Sequence, residues 1–342
     1  MRKIRAVIYG VGAMNSIATR LLLEKGVDIV GAIARSPEKI GRDLGEVAGL
    51  DRELGVPVEG DADAVLGGRS SDIAVIAVNS YMSDQYEHLR RCADHGVNAV
   101  TLSEESLYPW GTSPTLTAEL DWAAKRNGVT LTGTGHQDAY WVNMVSLLMG
   151  TAHRIDSLRG QASWNVDDFG PELARDQRVG DTPDEFAIWL AEADRPPTFG
   201  RNTLDAILAD VGLTAQSMET TTRPEVAEQD LASTALDMTV PAGQIIGLTD
   251  IDTIRTAEGP VFSFEMTGRL YAEGEADINE WLLEGEPELR LSNPRVPTGM
   301  TTCTQLVNRV PDVINAEPGF VTVEKLPKLR YRAFPLGQYL VQ

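Results

Sequence analysis

Two adjacent carboxylates, Glu104 and Glu105, follow the strand-like run Asn98-Ala99-Val100-Thr101, within the stretch Leu102-Ser103-Glu104-Glu105-Ser106-Leu107-Tyr108-Pro109-Trp110. An acid just past the carboxyl end of a parallel strand lies where open α/β sheets bind their ligands. Neighbours on an extended backbone point in opposite directions, so one of the pair can face a ligand while the other is expected to be solvent-exposed. Set among Trp110, Tyr140 and Trp141, a carboxyl would be partly desolvated, which raises its pKa and sharpens its attraction for a cation. Such a group suits chemistry that places positive charge on a substrate nitrogen beside a carbon receiving hydride. It could take protons from attacking ammonia, return one to the departing hydroxyl, and pair with the resulting iminium. The two acids read equally well as first-turn residues of a helix, where the dipole favours negative charge. Residue chemistry alone leaves both readings open.

A second constellation opens the chain. The apolar run Ile4–Tyr9 flows into Gly10-Val11-Gly12-Ala13-Met14-Asn15 and a helix-like stretch, the order of a buried strand, a glycine turn and a helix N-terminus that presents backbone N–H groups to a dinucleotide pyrophosphate. Gly10 permits the turn and Gly12 the close approach, with Ala13, Met14 and Asn15 supplying the first-turn amides. Asn15 stands where the third Gly or Ala of the fingerprint belongs, and is expected to loosen the helix–strand contact. The second strand ends Ala34-Arg35-Ser36 without an acid before the turn. Arg35, Ser36 and Lys39 therefore match a ribose 2′-phosphate, which favours NADP(H); an arginine that only stacks on adenine would admit NAD(H) as well. Asn79-Ser80-Tyr81, after the run ending at Val78, lies where the nicotinamide half of such a cofactor passes.

These residues need a scaffold of predictable kind. Residues 1–135 alternate strand and helix signals with strands apolar on both faces, which predicts a doubly wound parallel sheet, a Rossmann domain. Residues 136–300 change rhythm: Leu158–Asn165 and Phe262–Leu270 read as long strands, Asp184–Ala193 and Arg201–Ala209 as helices, and Met218–Asp230 as a partial helix broken at Pro224. This is the profile of an α+β substrate and dimerisation domain with a mostly antiparallel sheet. Residues 301–342 read as a helix interrupted at Pro311 and an arm that returns to the first domain, which would put the active site in the cleft between domains.

Composition narrows the partners. The 342 residues carry 50 acidic against 30 basic side chains, a formal net charge of −20, which argues against nucleic acid as a partner. Two distant cysteines, Cys92 and Cys303, suggest buried thiols and no metal cluster. No apolar stretch approaches the roughly 20 residues that span a bilayer, and the chain enters a strand at once, so neither membrane association nor a signal segment is expected and the reading is cytoplasmic.

Two families are resembled. The glycine turn, the stretch Ala34 to Gly49 and the late segment Leu306-Val307-Asn308-Arg309-Val310-Pro311-Asp312 resemble dihydrodipicolinate reductases, a likeness that implies that fold and adds Asn308 to the cofactor set. Those reductases carry adjacent histidines followed by a lysine, whereas His88, His95, His136 and His153 are scattered here. The block Ser103–Trp110 is closer to 2,4-diaminopentanoate dehydrogenases and the related native amine dehydrogenases, a resemblance that runs across nearly the whole chain. It implies NAD(P)H-dependent reductive amination of a small ketone or aldehyde with ammonia, and the reverse, with Glu104 as the single catalytic glutamate. It also implies a small cavity lined by Tyr108, His136, Tyr140, Trp141 and Trp164, and a homodimer joined through the second domains' sheets. An amino-acid substrate such as 2-amino-4-oxopentanoate would need a cationic anchor, for which Arg159 and Arg178 are the candidates. A non-catalytic NADP-binding sensor is the alternative outside enzymology.

Overall fold

The computed structural model describes residues 2–68 and 70–341, and the chain divides into two compact units, residues 1–143 with 299–342 and residues 144–298. In the first unit, strands β1 (Arg5–Tyr9), β2 (Asp28–Ile33), β3 (Val58–Glu59), β4 (Ile73–Ile76), β5 (Asn98–Thr101) and β6 (Thr130–Gly133) lie in the order β3-β2-β1-β4-β5-β6, with a short strand, Gly319–Phe320, beyond β6. All pairings are parallel. The period of two along β1 divides its side chains between two cores: Ala6 and Ile8 join one apolar cluster, Val7 and Tyr9 the other. Both faces are therefore covered, as continuous apolar strands require. The order reverses between β1 and β4, and that switch point is where doubly wound sheets hold ligands.

Helix α1 (Ala13–Glu24) begins straight after the glycine turn. Gly10 has φ +86°, and a Cβ there would come within 2.5 Å of the Ala77 carbonyl oxygen, so only glycine fits. Asn15 corrects an expectation. Its side-chain amide donates to the carbonyls of Tyr9 (3.0 Å), Gly10 (2.8 Å) and, on β4, Val75 (3.1 Å), and the residue is fully buried. The departure from the fingerprint thus tightens the helix–strand contact, because a hydrogen-bonding fork replaces the close packing that a third glycine would allow. It also removes the Asn15 side chain from any direct contact with a cofactor.

The remaining elements of the first unit are α2 (Leu44–Val47), α3 (Ala62–Gly68), α4 (Met82–Asp94) and α5 (Pro114–Asn127). In the second unit, helices α6 (Met144–Met149), α7 (Pro171–Asp176), α8 (Pro183–Glu192) and α9 (Phe199–Val211) accompany strands β7 (Arg154–Asn165), β8 (Ala215–Val226), β9 (Leu231–Ser233), β10 (Met238–Val240), β11 (Ile245–Thr256), β12 (Val261–Arg269), β13 (Ile278–Glu286) and β14 (Leu289–Asn293). Six of these form one sheet, β14-β13-β7-β12-β11-β8, antiparallel except for the β7–β12 pair. The stretch expected to be partly helical around Met218–Asp230 is mostly strand β8, at the sheet edge. An edge strand tolerates Pro224 because one side of it has no ladder to satisfy, and the run Thr220-Thr221-Thr222 is β-branched.

Helix α10 (Thr298–Asn315) then returns the chain to the first unit and runs through Pro311 without interruption, contrary to the expected break. Its cost is one lost backbone donor, and burial of most of the helix offsets it. Residues 136–143 also lie with the first unit, held by a buried ion-pair ladder. Asp138 accepts two bonds from Arg309, at 2.6 and 2.8 Å, and further bonds from Asn143 and Thr134. Asp312 accepts from Arg309 and, at 2.6 Å, from Arg332. Removing one partner of a fully buried pair strands the other charge. Asp138→Ala is therefore expected to destabilise the first unit by about 3–5 kcal/mol, measurable as a lowered denaturation midpoint, whereas Asp156→Ala on an exposed pair should change little.

Candidate active site

Four strand tips of the first unit meet along the carboxyl edge of the sheet: the β1 turn, Asn79–Tyr81 after β4, Ser103–Trp110 after β5, and Thr134–His136 after β6. Backbone and side-chain bonds lock the middle two together. Ser80 accepts at its carbonyl from Ser103 Oγ (2.6 Å) and from the Glu105 amide (3.2 Å). Thr101 donates to Gln85 (3.2 Å), and Gln85 donates to the Asn79 carbonyl (2.6 Å). Asn79 and Ser80 are thereby held beside the β5 tip.

Within this frame the two carboxylates part company. Contrary to the expected exposure, Glu105 is buried, because the backbone turns into a 3₁₀ helix at Glu104, and its oxygens accept from the Met82 amide (2.7 Å), Thr112 Oγ1 (2.7 Å) and Ser113 Oγ (2.6 Å). Met82 is the first residue of α4, whose N-terminus has no side-chain cap of its own, so Glu105 supplies the missing acceptor and the favourable charge. The helix-dipole reading thus holds for Glu105, on a helix from another part of the sequence. Thr112 and Ser113, which complete this clamp, carry no motif that marks them in the sequence. Glu104 is only half-buried, yet its carboxyl is strongly desolvated. Burial pushes its pKa up, with a hydrogen bond from the Ser80 side chain pulling partly the other way.

The β6 tip carries the aromatic residues. His136 is buried, its Nδ1 lies 3.1 Å from Thr301 Oγ1 on α10, and burial pushes its pKa down to about 3. It is therefore neutral at physiological pH. Tyr140 stacks on it with centroids 4.4 Å apart, and Trp141 meets it edge-on at 5.8 Å. Both aromatics sit on a single π-helical turn, Asp138–Asn143, a rare geometry enriched at functional sites. Tyr108 ends the short 3₁₀ turn Glu105–Leu107 and is half-buried. Trp164 belongs to the second unit, where it packs with Val166, Val240 and Leu270 and crowds Gly268; within that unit it is a core side chain.

The β1 turn fits a dinucleotide pyrophosphate. A Cβ on Gly12 would meet nothing within 4 Å, and Gly12 and Ala13 are exposed at the N-terminus of α1, which has neither a side-chain cap nor an acid in its first turn. Met14 follows, its carbonyl accepting from the buried Cys303 thiol at 3.2 Å. Lys39 Nζ donates to the Val11 carbonyl at 2.8 Å, which brings a cation to the turn itself. Arg35 is exposed at the β2 tip, and the Ser36 side chain bonds Glu38. Asn308 is buried in α10, its carbonyl accepting from Arg332 Nε at 3.3 Å. Among the described residues no cluster of three metal-binding side chains occurs, and no helix is long and apolar enough to cross a membrane.

The unequal environments make a stability test. A carboxyl with a raised folded pKa costs the fold stability once pH exceeds its unfolded pKa, and costs nothing below it. Glu104→Gln is therefore expected to raise the denaturation midpoint at neutral pH, with the gain vanishing as pH falls below the ordinary carboxylate range. Glu105→Ala should instead lower it by about 1–3 kcal/mol, because three donors lose their acceptor.

Comparison with known proteins bears on this geometry. The family model for the 2,4-diaminopentanoate dehydrogenase C-terminal domain matches residues 141–333. A 2,4-diaminopentanoate dehydrogenase from Acetoanaerobium sticklandii is 27% identical over 355 aligned positions, covering 96% of this chain and 94% of that protein. The solved structure of an amine dehydrogenase from Mycobacterium smegmatis is 65% identical, covers 97% of this chain and 98% of its own, and superposes with a TM-score of 0.94. Myo-inositol 2-dehydrogenase from Lactobacillus plantarum, at 17% identity and a TM-score of 0.62, shares the fold. On the matched domain and the near-complete likeness in sequence and structure, the chain belongs to the 2,4-diaminopentanoate dehydrogenase family.

Proposed function

We propose that this oxidoreductase is an NADP(H)-preferring amine dehydrogenase acting on CH–NH₂ groups, which converts a small ketone or aldehyde and ammonia into a primary amine and runs the reverse deamination. The observation that carries the proposal is the contrast at the β5 tip: Glu105 is saturated by three donors, while the desolvated Glu104 has the Ser80 hydroxyl to bond it and a raised pKa. A bound nicotinamide supplies or accepts the hydride. The chain's residues do the rest. The α1 N-terminus and Lys39 hold the pyrophosphate end, and Arg35 offers a guanidinium fork to a ribose 2′-phosphate. Glu104 takes a proton from ammonium as the freed ammonia adds to the carbonyl, a second proton passes from that nitrogen to the oxygen, and Glu104 returns the first to the resulting hydroxyl, which leaves as water. Its carboxylate then faces the iminium nitrogen, the cation that a desolvated acid stabilises best. His136, Tyr140 and Trp141 exclude water from that charge pair.

Two relatives support this reading: an amine dehydrogenase at 65% identity and a 2,4-diaminopentanoate dehydrogenase at 27%. An amino-acid substrate is disfavoured on the residues first considered as its anchor, because Arg159 pairs with Glu284 and Arg178 with Asp181. Arg159 instead belongs to a sheet face that also carries Arg223 and Glu265, themselves paired, while α9 packs on β11 and β12. That polar face is the surface on which a homodimer would form.

The function is tested by NADPH oxidation across a panel of simple ketones, with and without ammonium. Ammonium-dependent turnover is expected; a strict need for an amino-acid substrate would replace this reading, and tight cofactor binding without turnover would identify a sensor. Glu104→Ala is expected to reduce ammonium-dependent kcat by at least about 10²-fold while the NADPH Kd stays within a few-fold of wild type.

A further inference from the structure

A cluster at the β1 tip stands apart from the amination chemistry. Tyr9 is the last residue of β1, buried, and paired in register with Ile33 of β2, two positions before Arg35. Its phenol oxygen lies 2.8 Å from His88 Nδ1 on α4 and accepts from Arg91 Nη1 at 3.2 Å. The phenol and imidazole rings meet edge to face, with centroids 5.0 Å apart and planes at 71°. With Arg91 donating to the phenol oxygen, a phenol O–H directed at Nδ1 would place the proton of a neutral imidazole on Nε2.

The charges facing His88 come from three elements. Arg91, Glu87 and Asp84 lie on its own helix, and Arg35 comes from the β2 tip. Asp63 on α3 reaches the cluster through its 3.1 Å pair with Arg91. Burial comes first, and then the two guanidiniums, in making the protonated imidazole unfavourable. A dianion arriving at Arg35 reverses the electrostatic part of that penalty, because a nearby opposite charge favours the charged form of the ring.

We infer that His88 is a proton-linked specificity residue: it takes up a proton when a ribose 2′-phosphate engages Arg35, and so adds to the discrimination between NADP(H) and NAD(H). The inference rests on the NADP-preferring reading above and deepens it. His88 acts beside the phosphate and takes no part in the transfer of hydride or amine. NAD(H), which lacks the 2′-phosphate, leaves the imidazole neutral.

The test uses equilibrium binding of NADPH and NADH to the full-length protein between about pH 5.5 and 8.5, the range in which imidazole titrates. Calorimetry in buffers of different ionisation enthalpy counts the protons exchanged. The phosphate's own ionisation, with a pKa near 6, works against the effect: binding the dianion from a partly protonated pool releases protons. Wild type is therefore expected to show net proton uptake with NADPH relative to NADH, and His88→Gln net release. The NADPH-over-NADH preference of wild type should exceed that of His88→Gln by about three- to tenfold at the acid end, one pK unit of coupling being tenfold, and converge with it at the alkaline end. Unchanged NADH affinity shows that the variant is folded; should that fail, Tyr9→Phe, which removes the donor to Nδ1, is expected to move the uptake to a different pH. NADPH preferred with identical proton exchange in wild type and variants overturns the role of His88 and leaves the cofactor reading standing. NADH bound more tightly at every pH overturns both.

Discussion

One carboxylate, Glu105, anchors the candidate site by being unavailable. Its two oxygens take the first amide of α4 and two hydroxyls that precede α5, so it ties the β5 tip to two helices that begin there. The backbone on either side is then fixed: the Ser80 carbonyl receives Ser103 Oγ and the Glu105 amide. Glu104, one peptide bond earlier, inherits a fixed position without sharing the donors. A desolvated carboxyl bonded by the Ser80 hydroxyl and a backbone amide has the raised pKa that the proposed proton transfer to and from a substrate nitrogen would draw on. Neither acid would have its character without the other.

The rest of the first unit repeats this division between residues that hold and residues that are left open. Asn15 spends its side-chain NH₂ group on three backbone carbonyls, while Gly12 and Ala13 in the turn that it braces stay exposed. Asp138 and Arg309 satisfy each other out of sight of solvent, while the π-helical turn that begins at Asp138 presents Tyr140 and Trp141 against a neutral His136. In each case a buried, hydrogen-bonded polar group braces a neighbour to which the proposed function gives a role, as preorganised sites require.

The legible and illegible parts of the sequence follow from the same physics. Strands buried on both faces are continuous apolar runs, so the βαβ order from Arg5 to Gly133 was readable, and so was the glycine turn. Strand β8 was not, because an exposed edge strand such as Ala215–Val226 has no buried face to impose a period, and Pro224 mimicked a helix break. Asn15 was misjudged because the fingerprint encodes one way of packing a helix on a strand, and a hydrogen-bonding fork is another. The choice between Glu104 and Glu105 could not be made from spacing: it depends on Met82, Thr112 and Ser113, brought together only by folding. The π-helical turn leaves no periodic trace in six residues. The Tyr9–His88–Arg91 cluster joins residues nearly eighty positions apart, beyond the reach of any local pattern.

The ladder from Asp138 through Arg309 and Asp312 to Arg332 also imposes an order of assembly. Arg309 donates to the Pro327 carbonyl as well, so the acid at position 138 meets its cation, and the cation its last acceptor, only once residues up to 327 are in place. During synthesis residues 1–143 emerge from the ribosome with a charge that lacks its cation until a helix more than 150 residues further along arrives to pair it. A chain that stalls before residue 309 would hold an incomplete first unit, so the two separated stretches of that unit must both exist before either is finished.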